Sequence, residues 1–421
     1  MVVANPNVVL RRASPADVDA VAEFNSRLHD DSRLGIWTRD AMSGRHPTMN
    51  AASFLLAVER RTDQIVSLAC LIPQTWTYDG IALTVGQIET VGTDPDYRRQ
   101  GLTRAIIEAL HRESEENGHL VQAILGNPWW YRRFGYEYAL TFGGRRHLEL
   151  ADLEALAEKA HPRFQVRPAE TIDIPALSSL YQQQCAGKLL VLDRDRERWH
   201  FDLTGHSPGS LFEARNWLLQ DHSESTAGFF RTLAPLFDGR LVVTDLVAEK
   251  DVGLSELLPT ICQSLQHQLS DEVVRLTFDL GMTHPAYQAL EEILSALDRP
   301  YAWYVRVPDL PALVNRIKPV LERRLADAGL SDLNESLCLS FYEDGLRMKF
   351  EKGRLAEVVS QPGEDQSDAA FPPLVFLKLL FSYRSLAELL HAFPDCWATP
   401  QATEILNVLF PRRISWVQSM G

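Results

Sequence analysis

The sequence has few cysteines, no long apolar run and no excess of positive charge. Its five cysteines are scattered over 421 residues without a CxxC pair, which excludes a disulfide framework and a cysteine-rich zinc site. No stretch reaches the roughly 18 consecutive apolar residues of a transmembrane helix, and the first residues lack the apolar core of a signal peptide. The net charge of −14 argues against an unspecific nucleic-acid binder. We therefore expect a cytoplasmic protein without a membrane span or a nucleic-acid partner.

Two common kinds of active site are also missing. We expect no hydrolase triad. His200 and His206 lack a cysteine or a second histidine at metal-ligand spacing, and we expect no metal. The charged run 193–200 alternates in sign, which is typical of a solvated helix face.

The most informative stretch is 85–138. A β-branched strand is predicted at 88–93, and Asp94, Pro95 and Asp96 end it. Residues 98–103, RRQGLT, then open a helix, and a second strand is predicted at 120–125. The first N–H groups of a helix lack partners and attract anions, and arginines bind phosphate oxygens in pairs. This strand–turn–helix unit is therefore interpreted as a diphosphate cradle.

The flanking segments predict a mixed sheet around that unit. A strand at 8–12 precedes a helix with Ser14 as its N-cap, whereas 30–51 is predicted to be irregular. Further strands are predicted at 53–59, 64–71, 74–78 and 136–140. Strands, then a crossover helix, then more strands indicate a mixed sheet with helices on both faces.

The chain then repeats this arrangement. FQVRPAETIDIPALSSL, from 164, echoes VVLRRASPADVDAVAEF, from 8, which suggests a duplicated domain. The copy has predicted strands at 216–220, 228–233, 241–247 and 301–306, but its turn at 248–253 has no arginine and two acids, so we expect no cofactor there. Alternating strands and helices after 307 predict an α+β domain. We name residues 1–155, 163–306 and 307–421 the first, second and third units.

At this point the sequence resembles a known family. The first unit resembles a GCN5-related N-acetyltransferase (GNAT) domain, with the acyl-CoA pyrophosphate motif at 98–104. WYRRFGYE, YAWYVRVPDLPALV, LERRLA and LFPRR extend the likeness to the Eis-like (enhanced intracellular survival) acetyltransferases. The resemblance implies an α/β and α+β fold: two tandem GNAT-like mixed-sheet domains, then a domain similar to sterol carrier proteins. It also implies a homo-oligomer, either a hexamer or a smaller assembly.

The resemblance also implies an acetyl-CoA site in the first unit. The pantetheine arm should pair with the backbone of Val91, Gly92 and Thr93. The pyrophosphate and adenosine end should lie on the turn and the start of the helix, and further contacts should follow the second strand. These residues are Arg98, Arg99, Gln100, Gly101, Leu102, Thr103 and Arg104, with Gly126 and Asn127 beyond the strand.

Acetyl transfer needs an acid for the departing thiolate and a base for the attacking amine. Tyr131 matches the family's general acid, although it could instead be a packed aromatic of WWYRRFGY. Two bases are open. The family's terminal carboxylate would here belong to Gly421, but the tail QSMG lacks the terminal aromatic of better-known members. Glu89, on the strand before the turn, is the local alternative, unless it faces solvent or pairs with an arginine.

The predicted substrate is a small amine, and the resemblance implies an aminoglycoside-like polycation. Trp37, Trp129 and Trp130 could line a cleft for a cation, although large aromatics also occupy cores. Two alternatives stay open: a lipid or apolar-ligand binding protein acting through the third unit, and an acetyltransferase for proteins or peptides. Without a cysteine beside Tyr131, we expect direct transfer in a ternary complex.

Overall fold

A computed structural model describes residues 5–127, 129–234, 236–270, 272–363 and 367–418. Within these ranges the chain forms three β-sheets with helices packed on them. The elements up to residue 157 are β1 (Val8–Arg12), α1 (Val18–His29), α2 (Ser32–Met42), β2 (Phe54–Glu59), β3 (Ile65–Tyr78), β4 (Ile81–Thr93), α3 (Leu102–Glu116), β5 (Val121–Ile124), β6 (Glu137–Phe142), β7 (Arg145–Leu148) and α4 (Leu150–Ala157).

The second unit follows with the same alternation of strands and helices. Its elements are β8 (Phe164–Pro168), α5 (Ile174–Cys185), β9 (Leu190–Leu192), α6 (Arg196–Thr204), β10 (Ala214–Asp221), β11 (Thr226–Leu233), β12 (Arg240–Ala248), α7 (Leu254–Gln266), β13 (Arg275–Asp279), α8 (Pro285–Ala289) and β14 (Tyr301–Arg306). In both units a crossover helix, α3 or α7, connects a parallel pair of strands, β4–β5 or β12–β13.

The two sheets exchange strands. The first sheet has the order β1-β2-β3-β4-β5-β14-β6, with β9 on the edge of β3, and the second has the order β7-β13-β12-β11-β10-β8. Strand β14 therefore leaves the second unit and lies between β5 and β6, while β7 of the first unit pairs with β13. The strand predicted at 301–306 exists, but it completes the sheet of the other unit.

Apolar side chains cover both faces of the first sheet. Helix α3 buries Leu102, Ile106, Ile107 and Leu110 on one face, and each such side chain contributes about 1.5–3 kcal/mol. Helices α1 and α2 pack on the other face around Phe54. The mixed sheets and flanking helices confirm the predicted fold class.

The third unit comprises α9 (Leu310–Asp327), β15 (Ser336–Ser340), β16 (Asp344–Glu351), β17 (Arg354–Pro362), β18 (Ala369–Ala370), α10 (Phe376–Leu380), α11 (Leu386–Ala392), β19 (Trp397–Ala398) and α12 (Pro400–Leu409). Its sheet has the order β17-β16-β15-β18-β19. Buried side chains such as Phe350, Phe371 and Phe376 form one core with Trp76 and Trp303 of the first sheet. The third unit is thus joined to the first by continuous packing.

The repeated opening sequence has a physical counterpart. Arg11 binds Asp17 at 2.7 Å, and Arg167 binds Asp173 at 2.7 Å. Both aspartates also belong to capping boxes, at the short helical turns Pro15–Asp17 and Thr171–Asp173. Each pair therefore links the first strand of its unit to the following helix in the same way.

One local prediction was wrong, and another holds only in part. The segment predicted to be irregular contains α2, whose N-cap Asp31 accepts a hydrogen bond from the Arg33 N–H and whose Leu34, Trp37 and Ala41 face the core. The charged run is solvated only in part: its acids, Arg196 and His200 are exposed, whereas Arg194 lies buried against Asp245 at 3.2 Å and Arg198 lies buried against Asp202 at 3.2 Å. Asp202 lies one turn along the same helix, but Asp245 lies on the distant strand β12, and a local pattern does not reveal such a partner.

Candidate active site

The site begins where β4 and β5 diverge. The two strands pair in parallel from Val85↔Val121 to Ile88↔Ile124, after which β5 ends while β4 continues to Thr93. Within the described ranges, no strand pairs with residues 89–93 on this side, although β3 pairs with them on the other. This open edge includes Val91, Gly92 and Thr93, and its backbone groups are available to an extended ligand.

The turn after β4 has an unusual backbone. Arg99 and Gly101 have φ angles of 62° and 77°, in the left-handed region, which costs a non-glycine residue about 1–3 kcal/mol. Gly101 is the N-cap of α3, and an added Cβ there would meet nothing within 4 Å. Arg98 and Arg99 are exposed, and neither forms an ion pair with a residue of the described ranges. The turn therefore presents unpaired positive charge beside a helix N-terminus.

Neighbouring contacts hold this turn in place. The hydroxyls of Thr93 and Thr103 lie 2.7 Å apart, which ties β4 to the first turn of α3. The Gln100 side chain accepts a hydrogen bond from Asn5 at 2.7 Å. Arg104 pairs with Glu108 at 3.4 Å and lies 5.2 Å from the centre of the Phe134 ring. Leu102 is buried, so it anchors the helix rather than facing a ligand.

Tyr131 lies at the point of divergence. Its ring covers Gly126, where an added Cβ would be 2.7 Å from Tyr131 Cε2. The Tyr131 hydroxyl forms no hydrogen bond with the described part of the chain. Burial and the nearby Glu89 carboxylate raise the pKa of Tyr131 well above its ordinary value. The phenol is therefore a protonated donor without an acceptor among the described residues.

Glu89 is the first residue of β4 beyond the parallel pairing. Burial raises the pKa of its carboxyl to about 7. Its Oε1 accepts a hydrogen bond from Gln87 Nε2 at 2.7 Å; Gln87 in turn accepts one from Gln74, also at 2.7 Å. This chain of amides orients the carboxylate. A group with a pKa near neutrality can accept a proton and release it again under physiological conditions.

Three further tyrosines, absent from the sequence predictions, surround Tyr131. Tyr301 and Tyr304 come from β14. Tyr301 donates a hydrogen bond to the Gly126 carbonyl, and the Tyr304 hydroxyl lies 3.4 Å from the Asn127 carbonyl. Tyr304 donates to the Tyr138 hydroxyl at 2.8 Å, and its ring centre lies 5.6 Å from that of Tyr131. A register shift beside Tyr304 allows it and Tyr301 to meet the same Tyr138. The second unit thus contributes side chains to the site of the first.

An ion-pair network connects this region to the third unit. Lys378 of α10 binds Glu137 at 2.9 Å, and Glu137 also pairs with Arg132, which follows Tyr131. Lys378 and Glu137 are buried, so their pairing compensates charges that would otherwise be costly. The only sequence signal for this network was the charged Arg132 beside the aromatic run, because Lys378 lies 241 residues from Glu137.

The remaining predicted site residues lie in different environments. Trp37 is 1% exposed and packs on Phe54 and Phe212, so it belongs to the core and lines no cleft. Trp129 is 67% exposed and stacks with Arg132 at 4.2 Å, whereas Trp130 packs on Tyr131. Gly421 lies outside the described residues. The last described residue, Gln418, donates a hydrogen bond to the Thr244 carbonyl and accepts one from Arg194.

The described ranges lack two further kinds of feature. They contain no group of three or more histidine, cysteine, aspartate or glutamate side chains that could hold a metal ion. None of their helices combines the length and apolar character needed to cross a bilayer.

Comparison with protein families gives one match. Residues 9–139 match the family model described as an acetyltransferase (GNAT) domain. The match starts in β1 and ends in β6, so it includes the open edge of β4, the turn at 98–101 and Tyr131. The chain therefore carries an acetyltransferase domain of the GNAT type. No curated protein matches the sequence at a significant level.

Solved structures share the fold of almost the whole chain. A GCN5-related N-acetyltransferase from Kribbella flavida is 18% identical, with a TM-score of 0.68 over 98% of this chain and 100% of its own. A GCN5-related N-acetyltransferase from Anabaena variabilis is 16% identical, with a TM-score of 0.69 over 97% and 99%. Eis1 from Mycobacterium abscessus is 13% identical, with a TM-score of 0.60 over 98% and 100%. At these identities the likeness concerns the fold.

Proposed function

We propose that the GNAT acetyltransferase domain at residues 9–139 uses acetyl-CoA to acetylate an amine of a small, polycationic acceptor. The observation that carries the proposal is the convergence, at one divergence of strands, of an unpaired β4 edge, an arginine–glycine turn and the unbonded Tyr131 hydroxyl. These three features supply a backbone partner, a phosphate partner and a proton donor.

Acetyl-CoA would extend along the open edge of β4. The backbone of Val91, Gly92 and Thr93 would pair with the amides of the pantetheine arm, as an added strand does. The pyrophosphate would meet the N-terminal N–H groups of α3 and the side chains of Arg98 and Arg99. The thioester would then lie at the end of β5, beside Gly126 and Asn127.

The chemistry would be a direct transfer. The nitrogen of the acceptor amine forms a bond to the acetyl carbon, and the carbon–sulfur bond breaks. Tyr131 donates its proton to the departing sulfur, while Glu89 accepts the proton that the amine nitrogen loses. Glu89 is favoured over Gly421 because its carboxylate acts electrostatically on Tyr131 and has a raised pKa.

The net charge and one exposed aromatic side chain indicate the class of acceptor. A net charge of −14 favours the approach of a cation, and the exposed Trp129 offers an aromatic face beside the site. An aminoglycoside-like polyamine fits this description. The apolar interior of the third unit packs against the first sheet, so we favour the acetyltransferase over a lipid carrier. We propose the likeness of the third unit to sterol carrier proteins, like a homo-oligomeric state, on the resemblance alone.

The activity test measures release of the CoA thiol. Purified protein with acetyl-CoA should release thiol when neomycin, a polycationic aminoglycoside, is added. A lysine-containing peptide and benzylamine, which carries a single amine, should give rates at least tenfold lower. Equal rates with the peptide would indicate a protein acetyltransferase instead. The absence of thiol release with every amine would contradict the proposed function.

The base is tested by two variants. Glu89→Gln keeps the shape of the side chain and removes its basicity, whereas deletion of residues 419–421 removes the terminal carboxylate. We expect the substitution to lower kcat far more than the deletion. The opposite order would assign the base to Gly421.

A further inference from the structure

A cavity of about 750 Å³ lies in the second unit, at the position that corresponds to the active site of the first. Strands β12 and β13 pair in parallel from Arg240↔Arg275 to Val243↔Phe278. Beyond this point β12 continues to Ala248, whereas β13 ends at Asp279. The cavity is bounded by the end of α5, the end of β12, residues 280–285 and the C-terminal segment 412–416.

This cavity does not suit acetyl-CoA. Its turn, 249–253, carries Glu249 and Asp251 and lacks arginine, so a pyrophosphate would meet repulsion. The space over Gly281, which corresponds to Gly126 of the first unit, is also filled. The Trp416 indole covers this glycine, where an added Cβ would lie 2.8 Å from the ring. A ligand of this cavity must therefore be shorter than CoA and need no diphosphate site.

The lining has an excess of positive charge. Lys188, Lys250 and Arg412 face the cavity, and none of them forms an ion pair within the described ranges. The one acid of the lining, Glu249, accepts a hydrogen bond from Gln183 at 2.8 Å. His284 adds no charge at neutral pH, because burial lowers its pKa to about 4. This is a cationic cavity in a protein with a net charge of −14.

Lys188 gives the clearest reason to expect a ligand. Its side chain is half-buried, and burial lowers its pKa. Its ammonium donates to the Gln184 carbonyl but has no carboxylate partner in the described chain. A partly desolvated cation is costly unless an anion compensates it. The lining also contains apolar groups, including Val252, Leu254 and the exposed Met282.

We propose that this cavity is a binding site for a small organic anion, with a carboxylate or phosphate head group bound by Lys188 and Arg412 and an apolar body. A cavity of this volume is typical of small-molecule sites. Because residues 412–416 form one wall, a bound anion would hold the C-terminal segment against the second unit. The proposal does not depend on acetyl transfer.

The test is calorimetric titration with octanoate and octyl phosphate, with 1-octanol as the neutral ligand of the same chain length. Wild-type protein should bind at least one of the two anions saturably, and octanol at least tenfold more weakly. Whichever anion binds more tightly identifies the preferred head group. Saturable binding of neither anion, or equal binding of octanol, would overturn the proposal.

Matched variants locate the site. Lys188→Gln should weaken anion binding by about tenfold, as expected when a charged hydrogen bond is lost, and Lys250→Gln, at an exposed position, by about twofold to fivefold. Lys159→Gln, an exposed lysine outside the cavity, should change affinity less than twofold, and so should Arg99→Ala in the first unit. Weaker binding by Arg99→Ala would place the anions in the first unit and refute the proposal. If Lys188→Gln melts early, Lys250→Gln decides, and its unchanged affinity would contradict the site.

Discussion

The first and second units share an arrangement of strands and helices, but they differ in which polar side chains lack a hydrogen-bond partner. Tyr131 and Tyr287 both lie on the short helical segment that follows the second parallel strand. The hydroxyl of Tyr131 has no hydrogen bond in the described chain. The hydroxyl of Tyr287 accepts the Leu280 N–H at 3.1 Å and lies 2.8 and 2.7 Å from the carbonyls of Gly144 and Phe278.

The same contrast holds one residue beyond the parallel pairing. Glu89 occupies this position in β4, where burial raises its pKa to about 7, whereas β12 has Thr244. Above Gly126 lies a tyrosine ring, and above Gly281 lies the indole of Trp416. The comparison teaches that a fold supports acetyl transfer only where its reactive groups keep unused hydrogen-bonding capacity. The same fold loses this chemistry once the corresponding groups are bonded or replaced.

The largest expected effect separates the two tyrosines. Tyr131→Phe should lower kcat by about 100-fold to 1,000-fold, because it removes the acid that protonates the thiolate, and should leave acetyl-CoA affinity unchanged. Tyr287→Phe should leave kcat unchanged and lower the free energy of unfolding by about 1–3 kcal/mol. Steady-state kinetics and denaturant unfolding measure both. Unchanged turnover in Tyr131→Phe would remove this residue from the mechanism.

The second effect concerns Glu89 and pH. Glu89→Gln should lower kcat about 100-fold at pH 8, since a positioned base is lost. In the wild type the carboxylate fraction increases as pH rises through about 7, so kcat/KM should rise with pH and level off above that value. Tyr131 imposes no fall near neutrality, because its pKa is raised. A wild-type profile without a limb near pH 7, or a limb that survives in Glu89→Gln, would exclude Glu89 as the base.

The third effect compares the two turns. Arg99→Ala should raise the Kd for acetyl-CoA at least tenfold, because a charged contact to phosphate is worth about 1.5–3 kcal/mol. Lys250→Ala, at the corresponding turn of the second unit, should leave this Kd unchanged. Calorimetry with acetyl-CoA measures both variants. Equal losses in the two would mean that the cofactor does not distinguish the units.

The smallest effect is one that the units should share. Arg11→Ala and Arg167→Ala should each cost about 0.5–1 kcal/mol of stability at pH 7, since both ion pairs are partly exposed. The paired carboxyls of Asp17 and Asp173 have lowered pKa values. Their contribution is complete above the ordinary aspartate pKa of about 4 and shrinks as pH falls below it. Urea unfolding at pH 7 and pH 3 should show similar behaviour for both variants.

Local sequence patterns predicted much of the fold. Strand β1, the strand–turn–helix unit around Gly101 and the first strands of the second unit followed from β-branched runs, turn residues and helical spacing. Helix α2 was missed because its polar residues mask a buried face carrying Leu34 and Trp37. The buried Arg194 was missed because its partner Asp245 lies on a strand 51 residues away.

Of the candidate site, the sequence predicted the parts that lie close together in the chain. Gly101, Gly126 and Tyr131 belong to one stretch, and the structure brings them to one divergence of strands. Tyr301 and Tyr304 could not be predicted there, because strand exchange puts them beside Tyr138, more than 160 residues away. Pairing at such separation depends on the whole fold rather than on local propensity.

The exchange of β14 also has a consequence for biosynthesis. During translation, β5 and β6 are made early, but the strand between them is complete only when residue 306 has left the ribosome. Until then the edges of β5 and β6 that later pair with β14 lack a partner, and such unpaired edges invite pairing with other chains. A nascent chain stopped at residue 155 should therefore be aggregation-prone and inactive, however complete its cofactor turn. The second unit, although it lacks the arginine–glycine turn, is thus required for the first unit to finish folding.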